Sequence, residues 1–472
     1  MSRLAARAAT PTRAALQRTH AAGPAALDVL HAHPRHLVLA ALVAGLLVGS
    51  HAAPPVVLLC ALAAGVLAAR PPLALLVAIA LLAGALGAQA RLHALDRTLL
   101  PPRFGAMVTM QVVLLEQPRP VRFGHTALAR LTAAPGSGER VMLRIGEDVA
   151  WPAVPTGAIV AVRGRLRALG PFERHYAVRG AHAAISLDAA APTGARRAGP
   201  LGVVDAIRTR AERALSSGLP APQAALLRGM TLGQDEALDE RTREQFRVAS
   251  LAHVLAASGQ NVALLLALAL PLLAWAGLGL RGRLIAALAL IALYVPLAGA
   301  GPSIQRAGAM GAATTVAALA GRPASRWYAL LLAAAVTLGC NPRASADVGW
   351  QLSFAAVVAI ALLAPRIRHA LVTRRMPEAL ADAMAMTTAA TLGTAPLLAL
   401  HFHQLSLVAI PANLLAGPAV GPITWLGMLA ATLGQLSPAL ATPLNALNAY
   451  LLAYVGAVAH LAASVPHASV EL

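Results

Sequence analysis

The chain is 472 residues long, 58% hydrophobic and only 12% charged. Soluble globular domains carry roughly 25% charged residues, so an ordinary soluble enzyme is excluded, as is a disordered chain, which needs low hydrophobicity. Its charge is lopsided: 38 basic against 19 acidic residues leave +19, every cation is an arginine, and beyond Asp382 the sole carboxylate side chain is Glu471. Such an excess points to nucleic acid or anionic lipid unless position accounts for it.

Residues 1–36 form a basic, polar tail with Arg3, Arg7, Arg13, Arg18 and Arg35 against Asp28. Apolar stretches near 37–53, 55–69 and 73–90 predict three membrane helices. The second is short against the roughly 20 residues needed to cross hydrocarbon, so a re-entrant hairpin is its alternative. Ser50-His51-Ala52-Ala53 only faintly resembles a signal cleavage site, because more apolar helix follows it. Cys60 and Cys340 lie in apolar runs and suggest neither a disulfide nor a metal site.

Residues 91–250 differ, with 22 arginines facing 14 acids and a periodicity near two. Candidate strands are Met107–Leu115, Ala127–Ala133, Val141–Ile145, Ala158–Leu166 and Ala183–Leu187, parted by turn signals such as Pro135-Gly136-Ser137-Gly138. Five short strands suit a small barrel of the OB type. Residues 201–250 read as an amphipathic helical connector, with Val204, Ile207, Ala211 and Leu215 spaced for one apolar face. Nine further spans are predicted near 262–280, 284–300, 304–321, 327–341, 348–365, 384–400, 405–420, 422–436 and 444–464, making twelve in all. The expected fold is a polytopic α-helical membrane protein with an inserted OB-like barrel at 91–200, flanked by membrane parts at 37–90 and 251–472.

A cytoplasmic tail puts the 91–250 insert outside after three spans. The same parity places Arg70, Arg281/Arg283, Arg322/Arg326 and Arg366–Arg375 inside, and only Arg343 outside, as the positive-inside rule prefers. The expected location is thus the inner, cytoplasmic membrane with a cytoplasmic N-terminus.

Polar groups at membrane depth are costly and usually line cavities or join helices. They cluster here at His253 to Val262, at Gly301-Pro302-Ser303-Ile304-Gln305-Arg306, at Asp347-Val348-Gly349-Trp350-Gln351-Leu352-Ser353-Phe354, and from His401-Phe402-His403 to Pro411-Ala412-Asn413. These segments resemble the transmembrane core of the ComEC family, the channel through which competent bacteria internalise DNA. The likeness covers about 91–420, including Arg228-Gly229-Met230-Thr231-Leu232-Gly233 and Phe246. Asn261 stands where many members have histidine, and Asn341 where aspartate is common. Full-length members often carry a metallo-β-lactamase-like domain, and with one acid after Asp382 its metal cluster cannot be built here.

The resemblance implies passage of single-stranded DNA across the membrane, with no catalysis, cofactor or metal. Candidate pathway residues are His253, Ser258, Gly259, Gln260, Asn261, Ser303, Arg306, Asp347, Gln351, Ser353 and Asn413. The bland alternative for Arg306 is a structural ion pair with Asp347. Arg163, Arg165 and Arg167 alternate along one strand and offer a stripe for a DNA backbone, or simply a solvated face. A Walker A motif needs lysine, so a cytoplasmic translocation ATPase would drive the movement. An external DNA receptor, a separate nuclease and self-association are further expected partners, beside membrane lipid. Two alternatives stay open: a channel-fold relative moving another anionic solute or polymer, and a membrane-embedded hydrolase using His253 and Ser258.

Overall fold

A computed structural model describes residues 33–51, 55–57, 59–61, 71–121, 123–133, 136–323 and 325–471. Residues 1–32 of the basic tail, most of the expected 55–69 span and Arg70 lie outside these residues. In chain order the elements begin with α1 (Pro34–Gly49) and α2 (Pro71–Asp96). Strands β1 (Met107–Leu114), β2 (Arg119–Val121), β3 (Gly124–Leu131), β4 (Arg140–Ile145) and β5 (Ala158–Arg167) follow. A short helix α3 (Arg174–Val178) and strand β6 (Ala181–Arg196) complete the insert. Next come α4 (Gly199–Ser216), α5 (Ala221–Leu232), α6 (Glu240–Val248) and α7 (Ala252–Leu255). The membrane part holds α8 (Gly259–Trp275), α9 (Leu280–Leu297), α10 (Pro302–Leu319), α11 (Arg326–Cys340), α12 (Val348–Thr373) and α13 (Glu378–Phe402). Strand β7 (Gln404–Ser406), α14 (Ala409–Leu433), α15 (Thr442–Ser464) and β8 (Ser469–Glu471) close the chain.

The chain divides into two compact units, residues 1–94 with 325–342, and residues 95–324 with 343–471. Helix α11, placed by the sequence reading in the 251–472 part, therefore groups with the N-terminal helices. In the first unit α1, α2 and α11 run side by side in one direction. His36 Nε2 lies 3.0 Å from Ser325 Oγ at the start of α11, and Arg91 Nε donates to Cys340 O at 2.9 Å at the other end. Gly45, Gly49 and Gly84 let α1 and α2 meet backbone to backbone, since a Cβ on Gly45 would strike Leu81 and one on Gly84 would strike Leu42.

In the second unit the insert closes into a five-stranded barrel in the order β1-β5-β6-β4-β3-β1, with β2 added beyond β3. All its ladders are antiparallel except β4 with β6. That order, with its single parallel contact, is OB-like, as expected. Period-two alternation puts Val112, Val141, Leu143, Val160, Ile185 and their neighbours inside the barrel, essentially without exposure. The strands run longer than the sequence predicts: β3 begins at Gly124, and β6 continues to Arg196 along an exposed second half. Between β5 and β6 helix α3 lies on the outside of β3, β4 and β6. Tyr176 packs there on Leu128, Met142 and Ala184, and its hydroxyl donates to Thr126 Oγ1 at 2.8 Å.

Among the described residues six helical stretches are long and apolar enough to cross a membrane: Pro71–Arg103, Leu280–Leu297, Val348–Thr373, Glu378–Phe402, Ala409–Leu433 and Pro438–Ser464. Shorter apolar helices are α1, α8 and α11. The expected spans 405–420 and 422–436 are one helix, α14, so eight membrane-part helices replace nine and the count of twelve is corrected. Pro418 and Pro422 lie inside α14. Proline breaks most helices in water, but a spanning helix has no solvated alternative and absorbs it. The merger also fixes the chain's last turn: β7 follows α13, β8 follows α15, and the two pair antiparallel with Leu405 opposite Val470. Strands separated by two spans share one side of a membrane, whereas three intervening spans would part them.

Candidate functional site

The four polar segments meet at the ends of their helices. The α9–α10 turn carries Gly299 and Ala300 at positive φ (81° and 50°) and opens α10 at Pro302. One turn in, Arg306 is only 7% exposed. Its Nε donates to Ser353 Oγ at 2.9 Å, Ser353 Oγ donates to Ser303 Oγ at 3.2 Å, and its guanidinium lies 5.8 Å from the Phe354 ring centroid. The second and third segments are thus joined through arginine. The alternative reading of Arg306, an ion pair with Asp347, is not what the structure shows. Asp347 is instead the N-cap of α12, accepting from Trp350 N at 3.0 Å, a use of carboxylate that helix ends favour strongly.

The chain breaks between α7 and α8, where Ala256 and Ser258 are extended and α8 starts at Gly259. A Cβ on Gly259 would come within 3.1 Å of Arg306 Nη2, so glycine is what lets the guanidinium reach the start of α8. Asn261 is 4% exposed and works between helices: its Nδ2 donates to Met230 O at 2.8 Å and to Tyr294 Oη at 3.2 Å, while Tyr294 Oη donates to Thr231 O at 2.6 Å. Ser258 Oγ donates to Asn261 Oδ1 at 3.2 Å. His253 turns Nδ1 to Ser250 O at 3.1 Å, and Gln260 is exposed. His253 and Ser258 therefore have different partners and are not hydrogen-bonded to each other as a nucleophile–base pair would be.

The fourth segment joins through the same atoms. Asn413 Nδ2 donates to Ala409 O at 2.8 Å and to Ser250 O at 3.4 Å, the carbonyl that His253 also meets. Gln351 donates to Ser345 O and accepts from His401 Nε2, both at 2.8 Å. Helices α8, α10, α12 and α14 consequently all present their N-termini to one region. Helix N-termini carry partial positive charge; Asp347 already answers that of α12, while those of α8 and α10 lie beside Arg306, and this combination favours an anion. Among the described residues no group of three or more His, Cys, Asp or Glu comes together to hold a metal.

Two charged residues on α4 were not foreseen. The predicted apolar face holds at Ala211 and Leu215, which are buried, but at its start Val204 and Ile207 are only half-buried while Asp205 and Arg208 are buried at 4% and 7% exposure. Asp205 takes a two-pronged pair from Arg197 at the end of the barrel and presses on Gly157. Arg208 donates to the last carbonyls of α9. Charged residues at helical spacing gave no sign of burial in the sequence, since an exposed face reads the same way.

On the barrel, Arg163 and Arg165 are exposed on β5 with no ion-pair partner among the described residues. They stand between Thr109 and Met107 of β1 and Ala189 and Ser186 of β6. Arg167 leaves the expected stripe: it forms a bidentate pair with Glu173 at 2.9 and 2.5 Å and donates to Ser186 Oγ at 3.2 Å. Burial raises the Glu173 carboxyl, but its bonds from Arg167 and Gly170 N and the charges of Arg167 and Arg144 outweigh this and hold it below the usual range.

This is a multi-pass helical membrane protein carrying an OB-like barrel, with a polar, anion-favouring cluster at helix ends. A profile of the competence protein family matches residues 230–472, more than half of the chain. The chain belongs to that family, as the ComEC-type motifs suggest. It is 28% identical over 203 residues to ComE operon protein 3 of Bacillus subtilis (strain 168), an alignment covering 43% of this chain and 25% of that protein. The chain thus aligns with about a quarter of that relative's length. No solved structure matches.

Proposed function

We propose that the protein carries single-stranded DNA across the cytoplasmic membrane during natural transformation. The observation that bears most weight is the placing of Arg306 beside the starts of α8, α10 and α12. Among the described residues its guanidinium has one oxygen partner, Ser353, and no carboxylate partner. A desolvated arginine without a counter-charge is costly, and a passing phosphate would supply what the fold withholds.

In this reading the barrel lies on the outer side and the strand first meets Arg163 and Arg165. The face of β3 and β4, which OB barrels commonly use for oligonucleotides, is covered by α3 and presents Leu128 and Met142 beneath it. The open β1–β5–β6 face is the better track. From there the backbone reaches the cluster around Arg306, held in place by Ser303, Ser353 and Phe354, with Gly259 leaving room beside it. His253, Ser258, Gln260, Asp347, Gln351 and Asn413 shape and brace this mouth, and Asn261 fixes α8 to α5 and α9. In the same reading an external receptor, a separate nuclease and a cytoplasmic ATPase complete the process.

The parallel course of α1 and α11, which brings Arg35 and Arg326 to one end, supports a cytoplasmic N-terminus. The competing reading, another anionic polymer as cargo, rests on the same electrostatics and is separated by experiment. In a competent host lacking the gene, the wild-type chain restores transformation. Arg306→Gln reduces it about 10- to 100-fold at equal membrane abundance, and Arg306→Lys restores part of the loss. Undiminished transformation in the deletion strain, with its gene intact elsewhere in no copy, would reject DNA as the cargo.

A further inference from the structure

We propose that the first unit binds an anionic phospholipid in the groove between α1, α2 and α11, with an acyl chain along the helices and the headgroup phosphate at Arg35. The groove encloses about 360 Å³. Its walls are Val38, Leu39, Leu42, Leu73, Leu76 and Ala80, and Arg35 and Tyr328 stand at its rim. An apolar slot with a cation and a hydroxyl at one end has the polarity of one phospholipid chain and its head.

Charge complementarity selects an anionic lipid over a zwitterionic one. Among the described residues of this unit there is no Asp or Glu, so Arg35 has no internal counter-ion. The parallel packing adds to this. α1 and α11 begin together, as the His36–Ser325 contact shows, so their positive N-terminal dipoles lie beside Arg35 and Arg326. Basic pockets between membrane helices are suited to acidic headgroups. Tyr328, which lines the groove, is held by an edge-on contact with His36, 5.4 Å between ring centroids. The site is independent of the DNA pathway, which lies wholly in the other unit.

The full chain in mild detergent is mixed with spin-labelled phosphatidylglycerol or spin-labelled phosphatidylcholine, and the immobilised fraction is read by electron paramagnetic resonance. The wild type should prefer phosphatidylglycerol about fivefold, the factor expected of one arginine at a membrane surface. Arg35→Gln should abolish that preference without changing phosphatidylcholine, and Arg35→Lys should keep it. Ala80→Phe, which fills the groove, should reduce immobilisation of both lipids and decides the matter should the arginine variant not fold. Equal immobilisation of the two lipids by the wild type, or an unchanged lipid fraction in Ala80→Phe, overturns the proposal.

Discussion

Arg208 closes the C-terminus of α9 by donating twice to Leu297 O, at 2.7 and 2.9 Å, and once to Pro296 O at 3.0 Å. The last carbonyls of a helix have no partner of their own, and proline in the final turn frees another. Burial lowers the Arg208 pKa, Glu212 and Asp205 oppose that, and an arginine stays charged regardless. One turn earlier Asp205 grips Arg197 at the root of β6. The pair therefore clamps the barrel to the turn that launches Arg306. Arg208→Met leaves buried carbonyls unpaired and should cost about 3 kcal/mol. Arg208→Lys, with fewer and less directional donors, should recover part of it. Thermal unfolding of the detergent-solubilised protein reads both, and an unchanged midpoint in Arg208→Met would refute the clamp.

Asn261 and Tyr294 form one unit rather than two independent bonds. Asn261→Ala should destabilise by about 2 kcal/mol and Tyr294→Phe by about 1 kcal/mol. Because both serve the carbonyls of Met230 and Thr231, the double variant should lose less than the sum. A double-mutant cycle by chemical denaturation measures that coupling, and strict additivity would separate the two residues.

How much of this was legible follows from what each signal encodes. Alternation of period two located the barrel strands near their true places, because one face of each is sealed from water. The pairing order and the parallel β4–β6 contact join residues far apart in sequence and leave no local mark. The four polar segments stood out because membrane burial makes such residues expensive, yet their geometry did not. Asp347 is equally suited to a buried ion pair and to a helix cap, and only the position of Val348 as a helix start decides for the cap. Asp205 and Arg208 escaped notice because burial of a charge depends on partners elsewhere in the chain. The division of 405–436 into two spans fails because Pro418 and Pro422, breakers of a helix in water, are accommodated inside one spanning helix.

The α3 cover on the barrel should loosen in acid. Glu173 titrates below the usual carboxyl range when folded, so its pairing with Arg167 contributes stability above the unfolded pKa. That contribution is lost as pH falls through the depressed folded value. Hydrogen exchange of residues 174–180 should therefore quicken below about pH 4, from a normal glutamate near 4.3. Glu173→Gln, which loses the ion pair at every pH, should exchange faster near neutrality and show a smaller acid dependence. Equal pH profiles for the two proteins would rule out Glu173 as the latch.

The β7–β8 pairing offers a direct test of the corrected span count. Leu405 and Val470 are opposite each other, and directly opposed Cβ atoms in an antiparallel pair lie about 5 Å apart. That is within reach of a disulfide, whose Cβ atoms sit roughly 3.5–4.5 Å apart, after a small adjustment. With Cys60 and Cys340 replaced by alanine, Leu405→Cys with Val470→Cys should crosslink under mild oxidation. Either cysteine alone should not. The crosslink requires both segments on one side of the membrane, as α14 running unbroken from Ala409 to Leu433 demands. If 405–420 and 422–436 were separate spans, the two cysteines would face opposite compartments. A membrane-impermeant thiol reagent would then label only one of them in intact spheroplasts, whereas a continuous α14 gives both the same accessibility.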